Sequence, residues 1–164
     1  MVDKWLYARL EKTALDHMHG YESPHPWSFE HIWTHRTEDC VHYLWPNTLL
    51  PIPFNVGLTK EDFKNAMHFF GSVMDTTRFD VHNICVDTEK RTVLMHVTGH
   101  FDLKAVPGSE GVDAEDDWQA QYMWLCHMDV NGEKVMRIDE FMDGQRLMAE
   151  IKPRAEKMMA SQSS

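Results

Sequence analysis

The sequence predicts an α+β fold, a curved antiparallel sheet with its helices packed on one side. Three observations carry this reading. Apolar residues recur at helical spacing through the first part of the chain, and the spacing switches to alternation after Arg78. Asn131-Gly132 then sits between two alternating runs as a hairpin signal. Helices therefore come first, interrupted by one strand, and four antiparallel strands follow.

Asp3 to Tyr21 forms a helix on this reading, because Leu6, Leu10, Ala14 and Met18 step by four along one face. Gly20 and the Pro24/Pro26 pair end it. A short helix over Ser28 to His35 buries Phe29, Ile32 and Trp33. RTEDCVHYLW follows as a strand, with Cys40, His42 and Leu44 on one face and Val41, Tyr43 and Trp45 on the other. Pro46, Pro51 and Pro53 exclude regular structure from the next stretch, which becomes a rim or lid. Thr59-Lys-Glu-Asp62 has the form of a capping box. Phe63, Ala66, Met67, Phe70, Val73 and Met74 continue from it at helical spacing.

RFDVHNICVDTEKRTVLMHVTGHFDL predicts two strands joined by a tight turn near Thr88 to Arg91. The acidic stretch AVPGSEGVDAEDD forms a rim before the strand WQAQYMWLCHMDV, and KVMRIDEFMD returns as its hairpin partner. Residues 1–152 are expected to form a single domain, and residues 153–164 a frayed or disordered tail.

The totals exclude several function classes. A formal net charge of -10 argues against a nucleic-acid partner or an anionic membrane surface. No apolar run has the length of a membrane span, and the charged opening MVDKWLYARLEK is unlike a signal peptide, so a cytoplasmic location is expected. Cys40, Cys85 and Cys126 lie in separate segments without CxxC spacing, which fits reduced, buried thiols. There is no phosphate loop, GxGxxG turn or GxSxG elbow. Chemistry here is expected to rest on protons and electrostatics, with no cofactor and no metal. The 12 methionines and 6 tryptophans suit either an ordinary core or a cavity for a flat apolar ligand.

The final hairpin carries the main anomaly. Trp118, Ala120, Tyr122, Trp124 and Cys126 share one strand face, and Met136, Ile138, Glu140 and Met142 share a face of the returning strand. A carboxylate among Met and Ile either meets a cation or is pushed toward its neutral form. Both states are useful for proton transfer, and a structural ion pair at a strand end is the competing account. Arg36 is the candidate partner, or else a solvated helix-end cation. His42, His96 and His100 lie in strands, with Asp39 and Asp102 as neighbouring acids. They suit acid–base work or the polar outside of a sheet equally well.

R-T-E-D-C-V-H, P-N-T-L-L-P-I-P, W-Q-A-Q-Y-M and E-K-V-x-R-I-D-E-F-M-D, in this order, resemble the fungal SnoaL-like proteins. These belong to the nuclear-transport-factor-like superfamily, whose fold is a cone-shaped α+β barrel. The resemblance implies a cofactor-independent isomerase or cyclase of fungal secondary metabolism, similar to meroterpenoid-pathway isomerases and the brevianamide-type semipinacolase. It implies a hydrophobic polycyclic small-molecule substrate and a homodimer. Carried onto matching positions, it makes Arg36 and Glu140 the catalytic pair and Tyr122 and Trp118 aromatic pocket residues. On the resulting hypothesis Glu140 transfers a proton, Arg36 stabilises negative charge, Tyr122 orients a ligand oxygen and Trp118 stacks on the rings. His42, Trp124 and Met142 complete the substrate-binding set. Two rival readings remain: a dehydratase resembling scytalone dehydratase, using histidines with an aspartate, and a ligand-binding module without turnover.

Overall fold

Asp3 closes the N-terminus of the first helix, α1 (Lys4–His19), by accepting hydrogen bonds from the Trp5 and Leu6 amides, each 3.1 Å long. The computed structural model describes residues 3–22, 27–46, 56–108 and 114–162. Pro24 and Pro26, read as part of the helix stop, and Pro51, Pro53 and the middle of the acidic stretch, read as rim or lid, lie outside these residues. Helix α1 buries Leu10, Ala14 and Met18 as its periodicity predicts, and His17 beside them. Helix α2 (Phe29–Trp33) is shorter than expected. It buries Ile32 and Trp33, while Phe29 stays half-buried and stacks on Trp33 at 5.4 Å.

Helix α3 (Lys60–Gly71) starts at the capping box read from Thr59 and Asp62, with both reciprocal hydrogen bonds present. Phe63, Ala66, Met67 and Phe70 form its buried face. The apolar spacing continues to Met74, but the helix does not. The helix ends at Gly71, and Met74 opens a strand. Both Val73 and Met74 are buried, which is why they fitted the helical stripe.

Five strands follow the order β1-β5-β4-β3-β2: β1 (Arg36–Trp45), β2 (Met74–Asp87), β3 (Thr92–Leu103), β4 (Glu115–Met128) and β5 (Val135–Met142). The four expected antiparallel strands pair as predicted. β1 instead runs parallel to β5, so the sheet is mixed. The long, helix-containing path between those two strands permits parallel pairing, which a tight turn cannot. β1 and β2 do not pair with each other, so the sheet is open where a barrel would close.

One face of the sheet packs against the helices. It presents Phe79, Met95, Val97, Phe101 and the predicted β4 stripe from Trp118 to Cys126, all buried. On β5 the pattern is broken. Met128 pairs with Val135 but His127 pairs with Arg137, leaving Met136 as the extra residue of a bulge. Val135 is therefore buried and Met136 exposed, the reverse of strict alternation, while Ile138 and Glu140 remain inside.

The segment expected to fray is helical through Gln162. Helix α4 (Gly144–Arg146) leads through a π turn (Leu147–Ile151) into α5 (Lys152–Gln162). Ile151, Ala155 and Met158 are buried, an apolar stripe that anchors this end of the chain. Among the described residues, no helix is long and apolar enough to cross a membrane.

Candidate active site

Alternation on three adjacent strands aims a small set of side chains into the space beneath the helices. Glu140 of β5 lies opposite Leu44 of β1 and Trp124 of β4, and Tyr122 lies opposite Met142. With Tyr21 just past α1 and Phe63, Met67 and Phe70 of α3, these residues border a cavity. It holds about 540 Å³ of atom-free space, mouth included. Trp27, Leu58, Phe79, Phe101 and Leu147 add to a mostly apolar wall.

A buried polar chain runs along one side. The Nη2 atom of Arg36 is 3.1 Å from His42 Nδ1, and His42 Nε2 is 2.7 Å from Glu140 Oε2. The three residues are only 2%, 2% and 7% exposed. A guanidinium can only donate, so Nδ1 accepts and carries no proton. The neutral imidazole then holds its proton on Nε2 and donates it to a Glu140 carboxylate. Burial lowers the His42 pKa, favouring this neutral form, although Glu140 pulls in the opposite direction. Oε1 of Glu140 has no partner among the described residues, and Glu140 lines the cavity.

Phe63 supports both cationic and aromatic members of this chain. Its ring centroid is 3.8 Å from the Arg36 Cζ, and His42 stacks on it at 5.4 Å with 21° between planes. Arg36 Nε and Nη1 have no hydrogen-bond partner among the described residues, so the aromatic face takes up part of what solvent would give. His17 packs on the other side, with Nε2 3.5 Å from Arg36 Nη2. Burial, and then the charge of Arg36, push its pKa well below the ordinary histidine value.

Of the residues singled out from sequence, His42, Glu140, Tyr122, Trp124 and Met142 line the cavity. Arg36 does not; it stands one layer behind and reaches Glu140 through His42. Trp118 is also absent from the wall. Its indole N–H donates to Glu150 at 2.6 Å, its ring packs on Phe101, and the Arg146 guanidinium lies 4.9 Å above it. The C-terminal segment thus holds the Trp118 indole, which is not among the cavity-lining residues. Tyr21 and Phe63 were missed as site residues. Tyr21 continues the Leu10–Ala14–Met18 stripe one turn further, a signal obscured by the helix stop at Gly20.

A direct arginine–carboxylate pair is formed at the neighbouring residue, whereas Glu140 itself contacts His42. Asp139, on the opposite sheet face, accepts two hydrogen bonds from Arg137 at 2.8 and 2.7 Å and one from Trp45. Of the histidines of the dehydratase reading, His42 lines the cavity, whereas His96 and His100 are not among its lining residues. His100 contacts Asp117 and Asp80, Asp102 binds Thr76 and the Asp117 amide, and the His96 ring packs 4.9 Å from His82. Asp39 is exposed.

No protein-family model matches the sequence, and no curated protein matches it. Solved structures do. The pinacolase BvnE from Penicillium brevicompactum is 18% identical, with 95% of this chain and 98% of that one covered at a TM-score of 0.72. AusH from Aspergillus nidulans is also 18% identical, covering 83% and 84% of the two chains at 0.68. A protein from Jannaschia sp. CCS1, assigned to the SnoaL-like polyketide cyclases, is 13% identical over 90% and 94% at 0.64. At these identities the likeness establishes the fold, which is SnoaL-like, as the sequence motifs implied.

Proposed function

We propose that this protein is a cofactor-independent isomerase or cyclase acting on a hydrophobic polycyclic small molecule by acid–base chemistry, with Glu140 as the proton-transfer group. The observation that carries this reading is a buried carboxylate at an apolar cavity, one oxygen held by a neutral imidazole and the other without a partner among the described residues. Glu140 removes a proton from the ligand, and the released electron pair forms a new bond within the same molecule. The proton then returns from Glu140 to another ligand atom, so the product keeps the substrate's mass. In a semipinacol-type rearrangement the proton comes from a hydroxyl, whose oxygen pair becomes a C=O bond as a neighbouring C–C bond migrates to an adjacent carbon; the C=N or C–O pair of that carbon moves onto its heteroatom, which receives the proton from Glu140. The fold likeness to a pinacolase supports that version.

His42 and Arg36 are positioning residues here. His42 fixes the carboxylate's rotamer, and Arg36 fixes the tautomer of His42 while balancing the buried negative charge. Exclusion of water by the aromatic wall favours rearrangement over hydrolysis.

The test compares metabolites, by liquid chromatography and mass spectrometry, from producing cells that carry the wild-type protein or Glu140→Gln. Loss of a general base lowers turnover by about 10²–10⁴-fold, so a compound isobaric with the missing product should accumulate. An accumulated compound heavier by one water would instead make the protein a dehydratase. An unchanged profile would leave a binding module without turnover.

A further inference from the structure

We infer that Tyr21 donates the hydrogen bond that fixes a ligand oxygen in the cavity, through a hydroxyl polarised by the buried Arg36, and that the ligand is a neutral carbonyl compound. This deepens, and rests on, the isomerase reading.

Tyr21 is 3% exposed and borders the cavity. Its hydroxyl oxygen lies 2.7 Å from Arg36 Nη2, and no other hydrogen-bond partner for it exists among the described residues. A guanidinium has no lone pair to offer, so the phenol oxygen must be the acceptor in that contact. The phenol's own proton is therefore unspent. A hydroxyl that accepts a charge-assisted bond becomes a stronger donor toward its next partner. Burial pushes the Tyr21 pKa up, with Arg36 opposing, so the group stays protonated and acts as a donor rather than a base.

The same Nη2 atom that contacts Tyr21 also contacts His42, so the donor and the Glu140 base, both lining the cavity, are linked through one cation. That pairing suits a carbonyl ligand, and with it the version of the isomerase reading in which the proton is taken from carbon rather than from a hydroxyl. Glu140 breaks a C–H bond beside the carbonyl, the C–H pair becomes a C=C bond, and the C=O π pair moves onto oxygen. Tyr21 O–H holds that oxygen until Glu140 returns the proton elsewhere on the molecule. Tyr122, assigned this role from sequence, lacks the cation. Its hydroxyl has no hydrogen-bond partner among the described residues, and Glu140 is the main charge acting on it. Neutrality of the ligand follows from charge balance. Arg36 and Glu140 already offset one another, and a further ion in an aromatic cavity would have no partner.

The experiment uses 1-tetralone as a bicyclic ketone probe and reads its carbonyl stretch by infrared difference spectroscopy. Binding to the wild-type protein should move the stretch below its frequency in an apolar solvent. Tyr21→Phe should lose most of that displacement, while Tyr122→Phe keeps it. Because Tyr21→Phe could perturb folding by unpairing Arg36, 3-fluorotyrosine at position 21 supplies a second measurement. It keeps the hydroxyl, acidifies it, and should deepen the displacement. An unchanged stretch in Tyr21→Phe, a loss confined to Tyr122→Phe, or no deepening with 3-fluorotyrosine overturns the assignment. The readout involves no turnover, so it can fail while the Glu140→Gln metabolite test succeeds, or the reverse.

Discussion

His42 Nε2 lies 2.7 Å from Glu140 Oε2, a contact between two buried side chains 98 residues apart in the chain. The orientation of the cavity's carboxylate is thereby set from the far end of the sequence. Three consequences of this arrangement and its surroundings can be measured.

Replacing His42 with Ala leaves both Arg36 and Glu140 buried without their shared partner. Leaving a buried polar group without its hydrogen-bond partner costs about 1–3 kcal/mol, and more when the group is charged, so His42→Ala should lose about 3 kcal/mol or more by urea unfolding. His42→Gln keeps an amide able to meet one neighbour, and should recover about 1 kcal/mol of the loss. Equal losses for the two variants would mean that the imidazole acts only as volume.

Acid should destabilise the fold through His17 and His42. Burial lowers both pKa values in the native state, with Arg36 adding to it for each and Glu140 opposing it for His42. Unfolded, both return to about 6.5. Below that pH the unfolded chain binds more protons than the native one, so stability falls as pH falls; above it, neither group contributes a slope. Urea midpoints should be level above about pH 7 and decline toward pH 5, less steeply for His42→Gln. A midpoint that rises on acidification contradicts this.

Gly99→Ala should shrink the cavity. A Cβ there would sit 2.6 and 2.7 Å from Phe101 ring atoms and 3.0 Å from Phe79 Cε1. Both rings are buried and border the cavity, so a methyl group drives them toward the ligand space. Overpacking of this kind costs about 1–3 kcal/mol, and 1-tetralone affinity, measured by calorimetric titration, should drop about tenfold, equivalent to 1.4 kcal/mol. Lower stability with unchanged affinity would show that the rings yield in another direction.

Local rules made much of this legible. Alternation placed His42 with Cys40 and Leu44 inside β1, set the β4 stripe from Trp118 to Cys126, and turned Glu140 inward. The Thr59 capping box located the start of α3. What escaped was set by non-local pairing. That His42 stands between Arg36 and Glu140 depends on β1 lying parallel to β5, with the register broken between Arg36 and Val41. Alternation cannot anticipate the bulge at Met136, which needs one residue more than its partner strand offers. Trp118 looked like a cavity residue because its face was right. Its indole is held instead by Glu150, from a segment whose polar composition hid the buried stripe of Ile151, Ala155 and Met158.

The position of β5 between β1 and β4 has a consequence for how the protein comes into being. The meander β2–β3–β4 is joined by neighbouring pairings and can assemble as soon as it is synthesised, whereas β1 has no partner strand until β5 arrives. The first strand made must wait for the last, a closure of high contact order that is intrinsically slow. Until then Arg36 and His42 have no Glu140 to meet. The buried polar chain is thus completed in the closing step of folding, and a chain ending before β5 would carry most of the sheet and lack Glu140.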